Sequence, residues 1–264
     1  MTRLRIGLVL AVLVVGATLL GPVLTPYDPI APDYTAIYSP PSAAHPLGTD
    51  DLGRDVLARS LAGGRVSLTV ALSATALALC LGVAVGITSA GLGGLGDTVL
   101  VRVFDAVLAF PGFLLVLLVV TILGGGALQT VLAMGVAGAP IYFRLARSFT
   151  RSELRTDYVL AGEALGATRT RLLWRHALPN FAGAIWVQAA STAATFLLVE
   201  ASLSYLGLGV PLPTPSWGNV LQDARSYLTQ QPWAALGPGF FLAAASLAFQ
   251  FLSDGLRDRL DRRR

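Results

Sequence analysis

Six long apolar stretches constrain this chain more than any other feature of its sequence. A helix that crosses the ~30 Å hydrocarbon core of a bilayer needs about 20 predominantly apolar residues, and each stretch approaches that length. Only 13% of the 264 residues are charged, whereas a soluble domain usually has about 25%. The chain is therefore predicted to be an all-α, polytopic membrane protein. Its six predicted spans are Ile6–Leu24, Ser67–Ala90, Val103–Leu123, Leu128–Leu145, Phe181–Leu203 and Leu236–Leu252.

The first span follows MTRLR, a charged start that is similar to that of a secretory signal peptide. Its apolar run is longer than the ~7–15 residues of a signal peptide, and no clear small-residue cleavage site follows. It is therefore predicted to remain as an uncleaved anchor. The predicted division is an anchor helix with an extracytoplasmic segment in residues 1–66, and a transmembrane core in residues 67–264 with a cytoplasmic loop at about 147–180.

The orientation follows from the basic residues, which are all arginines. With the N-terminus inside, fifteen arginines fall in the inner segments and four fall outside, at positions 54, 59, 65 and 225. Because arginine and lysine accumulate on the cytoplasmic side of membrane proteins, both termini are predicted to be cytoplasmic.

Composition excludes several kinds of chemistry. The chain has no lysine, so it cannot contain a Walker A phosphate loop or form a Schiff base. Cys80 is its only cysteine, which excludes an intrachain disulfide and a cysteine-rich zinc site. No HExxH or GxSxG sequence is present, so an intramembrane enzyme is disfavoured. Neither catalytic residues nor a metal site are predicted.

The cytoplasmic loop between the fourth and fifth spans is unusually basic and is predicted to form two short helices. Thr156 or Asp157 can cap the first, because a short oxygen side chain accepts the free N–H groups of a helix start. Gly166 permits a close backbone approach between the two helices. Pro179 is predicted to end the second helix, since proline disfavours the helical conformation of the residue before it.

Three interpretations of this loop are open on physical grounds. Its arginines allow a peripheral helix that is attracted to anionic lipid. It can also be an ordinary solvated loop. The third interpretation is a docking element that fits a groove on a soluble partner.

The sequence LAGEALGATRTRLLWRHALPN in this loop resembles the EAA loop of bacterial ABC-importer permeases. That motif reads Glu-Ala-Ala, three residues, Gly, nine residues, Ile-x-Leu-Pro. Aligned on Gly166, it places Leu178 and Pro179 at the Leu-Pro positions, Leu160 at the Glu position and His176 at the Ile position. These departures look like the dipeptide/oligopeptide/nickel permease subfamily, in which they are common.

Three further blocks resemble the same subfamily, in the order that it has them: HPLGTDDLGRDVLARSLAGGRVSL, EASLSYLGLGVPLPTPSWGNVL and SDGLRDRLDRRR. The chain thus resembles the C-type permease subunit of a peptide importer. This resemblance implies a type I ABC-importer permease fold (MetI-like), and ATP-driven import of di- or oligopeptides, with a nickel chelate or another small solute as the alternative. A proton-driven secondary transporter is a remote alternative that the sparse intramembrane acids disfavour.

The resemblance also implies partners. They are a second homologous permease, two cytoplasmic ABC ATPases, an extracytoplasmic binding protein and membrane lipid, but no nucleic acid. No cofactor is expected in this chain, because ATP and Mg are bound by the partner ATPases. The residues expected to dock on an ATPase are Ala161, Glu163, Leu165, Gly166, Arg169, Arg171, Leu172, Leu178 and Pro179.

The two outer segments are predicted to carry short helices, one at Arg54–Leu61 and an amphipathic one that starts near Trp217 and lies in the interface. The acids near the first helix, with His45, allow a metal or amine site, but acids are also favoured at helix starts, which is the preferred interpretation. The resemblance suggests that these segments contact the binding protein. The expected contacts are Asp51, Arg54, Trp217 and Asn219.

Three features inside the predicted spans are unusual for membrane helices. Glu200 lies near the outer end of the fifth span, where a charge is costly and usually functional, and is a candidate for an external gate. Asp105 is predicted to pair with Arg102, three residues before it. Pro111 interrupts the third span, either as a packing kink or as a hinge.

Overall fold

The computed structural model describes residues 2–168 and 171–261. Over these residues the chain is almost entirely helical, which confirms the predicted all-α class. The helices are α1 (Thr2–Leu19), α2 (Gly21–Leu24), α3 (Val56–Leu92), α4 (Gly94–Leu108), α5 (Gly112–Leu123), α6 (Ala127–Glu153), α7 (Asp157–Ala164), α8 (Leu178–Tyr205), α9 (Trp217–Arg225) and α10 (Trp233–Asp261), with a π-helical segment at Leu172–Ala177.

The predicted six spans correspond to five long helices and one broken pair. By length and composition α1, α3, α6, α8 and α10 can each cross a membrane. The third predicted span is not one helix: α4 and α5 meet at an angle of 88°. Pro111 precedes the first residue of α5, and the residue before a proline is disfavoured in a helix, so the break falls there.

Helix α3 is 37 residues long, which corresponds to about 55 Å. The Asp55 carboxylate caps its start by accepting a hydrogen bond from the Ala58 N–H at 2.7 Å. The separate short helix predicted at Arg54–Leu61 is therefore wrong, because most of those residues form the first turns of α3. The predicted division after residue 66 falls within this continuous helix.

Glycines let the central helices approach closely. A Cβ at Gly82 would lie 2.3 Å from the Ala139 carbonyl oxygen, and one at Gly86 would lie 2.6 Å from that of Phe143. Small residues at such contacts are the usual means by which membrane helices pack. The α3–α6 pair formed in this way is the centre of the core, around Ile87, Met134 and Leu197.

Pro179 does not end a helix, contrary to the prediction. It lies in the first turn of α8, and the helical backbone continues into α8 from the π-helical segment before it. The Leu178 N–H donates to the Leu173 carbonyl, five residues earlier. A proline lacks the N–H for a normal helical bond and crowds the preceding turn. Widening that turn to a π-helix lets the chain keep its helical direction.

Candidate functional site

The loop at residues 154–177 joins the end of α6 to the start of α8. We call it the inner docking loop after its predicted role, and we use inner and outer in the sense of the predicted orientation. Three side chains tie its two ends together. The Tyr158 hydroxyl donates to the Glu153 carboxylate at 2.6 Å, and the Asn180 amide donates to the Tyr158 oxygen at 2.9 Å. Partial burial, followed by the Glu153 carboxylate, raises the pKa of Tyr158 above its usual value. The phenol therefore stays protonated at neutral pH and keeps donating this hydrogen bond.

The tip of the inner docking loop is a glycine turn with an exposed leucine. Gly166 has a φ of +85°, a conformation that other residues adopt only with strain. Within the described residues a Cβ on Gly166 would meet no atom within 4 Å. Leu165 beside it is 90% exposed. An exposed apolar side chain at a turn is suited to insertion into a groove on another protein.

Behind the tip, the inner docking loop packs on the rest of the chain. Leu172 is 4% exposed and packs against Gly162, while Leu173 packs against Gly91 at the inner end of α3. The prediction that Leu172 offers an apolar contact to an ATPase therefore needs correction. Its side chain stabilises the loop from inside, because it fills the space between α7 and the π-helical segment.

The other predicted docking residues divide into three groups. Ala161, Arg171 and Pro179 are exposed on the inner docking loop or just after it, and Leu178 is half-buried against the core. Glu163 is a residue of α7. Arg169 lies outside the described residues.

A second inner feature was not predicted, and we call it the Asp97 latch. Asp97 lies in the first turn of α4 and is 4% exposed. Its carboxylate accepts hydrogen bonds from the Arg147 Nε and Nη2 atoms, both at 2.6 Å, from Arg151, and from Ser89 Oγ at 2.7 Å. The latch therefore joins α3, α4 and the end of α6 directly before the inner docking loop.

We expect Asp97→Asn to reduce both stability and transport. The substitution keeps the shape but removes the charge from a carboxylate that pairs with two arginines, and each charge-assisted hydrogen bond contributes about 1.5–3 kcal/mol. The solubilised protein should unfold at a lower temperature and, in the transport role that the resemblance implies, take up less solute per ATP hydrolysed. The measurements are a thermal unfolding curve and coupled uptake in proteoliposomes.

Asp105→Asn is the matched control for the Asp97 latch. Asp105 pairs at 2.6 Å with Arg144, rather than with the predicted Arg102. Both partners are exposed, at 40% and 60% of their side-chain surface, and exposed pairs contribute only about 0–1 kcal/mol. Equal effects of the two substitutions would contradict a special role for Asp97.

At the outer end, charged side chains form a buried network that we call the outer charge network: Asp50, Arg54, Arg59 and Asp223. Arg59 is fully buried, and its Nη2 donates to Asp223 at 2.8 Å while its Nε lies 3.3 Å from Asp50. Arg54 donates to Asp50 at 2.7 Å. Burial raises the pKa of Asp223, whereas the two arginines act in the opposite direction. The network fastens the outer segment and α9 to the start of α3.

Three of the four predicted binding-protein contacts are buried. Trp217 is fully buried and donates from its indole to the Ser60 carbonyl at 2.9 Å. Asn219 is 1% exposed and closes a capping box with Ser216 at the start of α9. Arg54 belongs to the outer charge network, and Asp51 is the one of the four whose side chain is partly exposed, at 42%. The three buried residues lie beneath the outer surface and are not accessible to a partner protein.

Glu200 is fully buried where α8 meets α3 and α9. Its Oε1 accepts a hydrogen bond from Ser204 at 2.8 Å, and Ser204 in turn accepts one from the Val210 N–H at 3.2 Å. Within the described residues its Oε2 has no hydrogen-bond partner. A buried polar atom without a partner is costly, and the cost is larger for a group that can carry a charge, such as this carboxylate.

A metal centre finds no support in the part of the chain that the structure describes. Over those residues no three His, Cys, Asp or Glu side chains lie close enough together to hold a metal ion. His45 instead lies 2.9 Å from Asp55, the residue that caps α3. The preferred interpretation of the outer acids, that they belong to a helix start, agrees with this geometry for Asp55.

The chain is similar to known proteins over most of its length. Residues 82–264 match the family described as binding-protein-dependent transport system inner membrane component. The chain is 37% identical to the oligopeptide transport system permease protein OppC of Bacillus subtilis, over 97% of this chain and 84% of that protein. It is 38% identical to the di/tripeptide transport system permease protein DppC of Pseudomonas aeruginosa, over 97% and 86%. For DppC of Haemophilus influenzae the identity is 36%, over 97% and 89%.

Proposed function

The chain belongs to the family of inner-membrane components of binding-protein-dependent transport systems, and we propose that the solutes its transporter imports are di- or oligopeptides. The observation that carries this proposal is the likeness to relatives named as oligopeptide and di/tripeptide permeases, which extends over 97% of the chain. A permease that specialises in another solute would keep the fold and the inner docking loop. The substrate class is therefore tested separately from the transport role.

In the proposed mechanism, energy enters through the inner docking loop. Two cytoplasmic ATPases bind ATP and Mg, and one of them receives the Gly166 turn with Leu165 in a groove. Closure of the ATPases displaces this loop, and with it α6 and α8, whose inner ends it joins through Glu153, Tyr158 and Asn180. This chain itself supplies no catalytic residue. It forms half of the pathway, together with a second homologous permease.

The proposed orientation places both termini and the inner docking loop in the bacterial cytoplasm. The arginine distribution supports it, because fifteen arginines then lie inside and four outside. The outer charge network and α9 then face the extracytoplasmic binding protein. Asp51 is the proposed contact among the four residues considered for that role.

The substrate proposal can be tested with the complete transporter in proteoliposomes, supplied with its binding protein. We expect uptake of a labelled dipeptide that requires ATP, is abolished by vanadate and is unaffected by an uncoupler. Inhibition by the uncoupler alone would indicate a proton-driven transporter. Competition by a nickel chelate, with no dipeptide uptake, would overturn the peptide proposal and favour the alternative substrate.

We further propose that Glu200 acts in the outer gate. Its carboxylate lies one turn before the end of α8, beside the Ser204–Val210 contact that orders the following outer loop. Glu200→Gln keeps the shape and can still accept from Ser204, but removes the charge. We expect weaker uptake and altered basal ATP turnover, while the affinity of the binding protein for its ligand is unchanged. If both rates match those of the unmodified transporter, Glu200 has a packing role only.

A further inference from the structure

Helix α8 exposes a line of polar side chains along the membrane. Gln188, Ser191, Thr195 and Ser202 follow one another at intervals of three, four and seven residues, which places them on one face of a helix. Thr195 and Ser202 are exposed, and Gln188 and Ser191 are half-buried. We call these four residues the α8 polar line. It extends over 15 residues, and its ends are about 21 Å apart along the ~30 Å hydrocarbon core.

Helices α1, α6 and α10 expose mainly apolar side chains in their spans. Val12 and Leu13 of α1 are more than 60% exposed, and so is Leu128 of α6. On α10 the exposed residues include Phe240 and Leu247. These faces are suited to contact with lipid. The α8 polar line differs from these faces in chemistry, and only two of its four residues are exposed rather than half-buried. Leu198, at 50% exposed, is the apolar residue that interrupts it.

Part of the hydrogen-bonding capacity of the α8 polar line is already used within the helix. Thr195 donates to the Ser191 carbonyl at 3.2 Å, and Ser202 donates to the Leu198 carbonyl at 2.7 Å. Gln188 donates one amide hydrogen to Thr192 at 3.3 Å. The hydroxyl oxygens can still accept, and an amide offers two donors and an acceptor. Hydrocarbon cannot satisfy these groups, whereas water or a polar solute can.

We propose that the α8 polar line borders the water-filled path through the transporter and binds the main chain of the passing peptide. This inference rests on the proposed peptide substrate. Peptides of different sequence share only their N–H and C=O groups and their termini. Side chains that both donate and accept, such as Gln188 and the three hydroxyls, match those groups without selecting side-chain charge. Uncharged partners also bind weakly enough to release the solute, as a conducting pathway requires.

The test uses the complete transporter with Cys80→Ser, which removes the only native cysteine. Single cysteines then replace Gln188, Ser191, Thr195 or Ser202, and Leu132 or Leu247 for the matched controls on apolar faces. A membrane-impermeant, charged methanethiosulfonate is added, and labelling is followed by intact mass spectrometry. A thiol reacts as its thiolate, which forms in water and not in hydrocarbon.

We expect labelling of the α8 polar line to be at least about tenfold faster than labelling of the controls, since one pKa unit changes the thiolate fraction tenfold. The rates should differ between the nucleotide-free and the vanadate-trapped transporter. A dipeptide delivered by the binding protein should slow labelling at positions 188 and 191. Rates equal to those of the controls in every state would place this face in lipid and overturn the proposal.

A second outcome would also overturn it. If the four positions react in the separated subunit but are protected in the assembled transporter in every nucleotide state, the face packs against the second permease. Failure of the peptide substrate gives a different result: labelling still depends on nucleotide, but no peptide protects. Gln188→Leu completes the test, with an expected loss of at least about tenfold in dipeptide uptake, whereas Leu132→Ala should transport normally.

Discussion

Gly166→Arg is expected to abolish transport while the protein still folds and inserts. The arginine side chain would keep the neighbouring Leu165 out of its proposed groove. An apolar contact at the centre of an interface contributes about 2–4 kcal/mol, so loss of the Leu165 contact would weaken ATPase docking by roughly 30- to 1,000-fold. Within the described residues the new side chain enters open space, and the cost inside the chain is backbone strain at a φ of +85°. The measurements are ATP-dependent uptake and co-purification of the ATPases with the solubilised permease pair.

Gly124→Arg is the matched control for this substitution. Gly124 has a φ of +89°, and a Cβ there also meets no atom within 4 Å among the described residues. It follows α5 at the outer end, away from the inner docking loop. Both variants therefore carry a similar strain of about 1–3 kcal/mol. Loss of ATPase binding in both variants, or in neither, would contradict docking at Gly166.

Arg59→Met is expected to destabilise the outer end of the protein, where the outer charge network holds α9 against the start of α3. The side chain is fully buried, and its removal leaves Asp223 and Asp50 with less positive charge nearby. Breaking a buried ion pair by removal of one partner costs about 3–5 kcal/mol, because the remaining charge stays desolvated. The amount of protein in the membrane and its thermal unfolding temperature should both fall.

The double variant Arg59→Met, Asp223→Leu separates lost pairing from lost packing. Removing both charges eliminates most of the desolvation cost, so part of the lost unfolding temperature should return. Arg225→Met, which changes an exposed arginine on the same helix as Asp223, should behave like the unmodified protein. If the double variant is less stable than Arg59→Met alone, the pairing between Arg59 and Asp223 does not explain the effect.

Apolar length was sufficient to predict the helical class and most spans, because a helix must satisfy its own backbone in lipid. It did not predict where helices begin. The start of α3 was separated from its span because Arg54 and Arg59 made those turns look solvent-exposed, whereas the fold buries both side chains. Trp217 is buried rather than accessible for a related reason. Its indole N–H donates to the Ser60 carbonyl, 157 residues away in sequence, and this partner is not visible from the local pattern.

The candidate sites differ in the same way, because one is defined by a local sequence and another by contacts between residues far apart in the chain. The inner docking loop was recognised from a local sequence, and the structure places an exposed apolar tip where that sequence has its glycine. The Asp97 latch depends on partners 50 and 54 residues away, which spacing alone does not reveal. The sequence did contain one sign of the Asp97 latch: Arg147 and Arg151 lie one turn apart at the inner end of α6, where one acidic residue can pair with both.

The length of α3 has a mechanical consequence. Arg59 of the outer charge network and Ser89 of the Asp97 latch lie on this one helix, 30 residues or about 45 Å apart. A tilt of about 10° around its midpoint would displace each end by about 4 Å in opposite directions. A hydrogen bond does not survive such a displacement unless its partner moves along. A tilt of α3 would therefore move its two ends in opposite directions. Either the residues bonded to Arg59 and Ser89 move with the helix, or the contacts at one or both ends break.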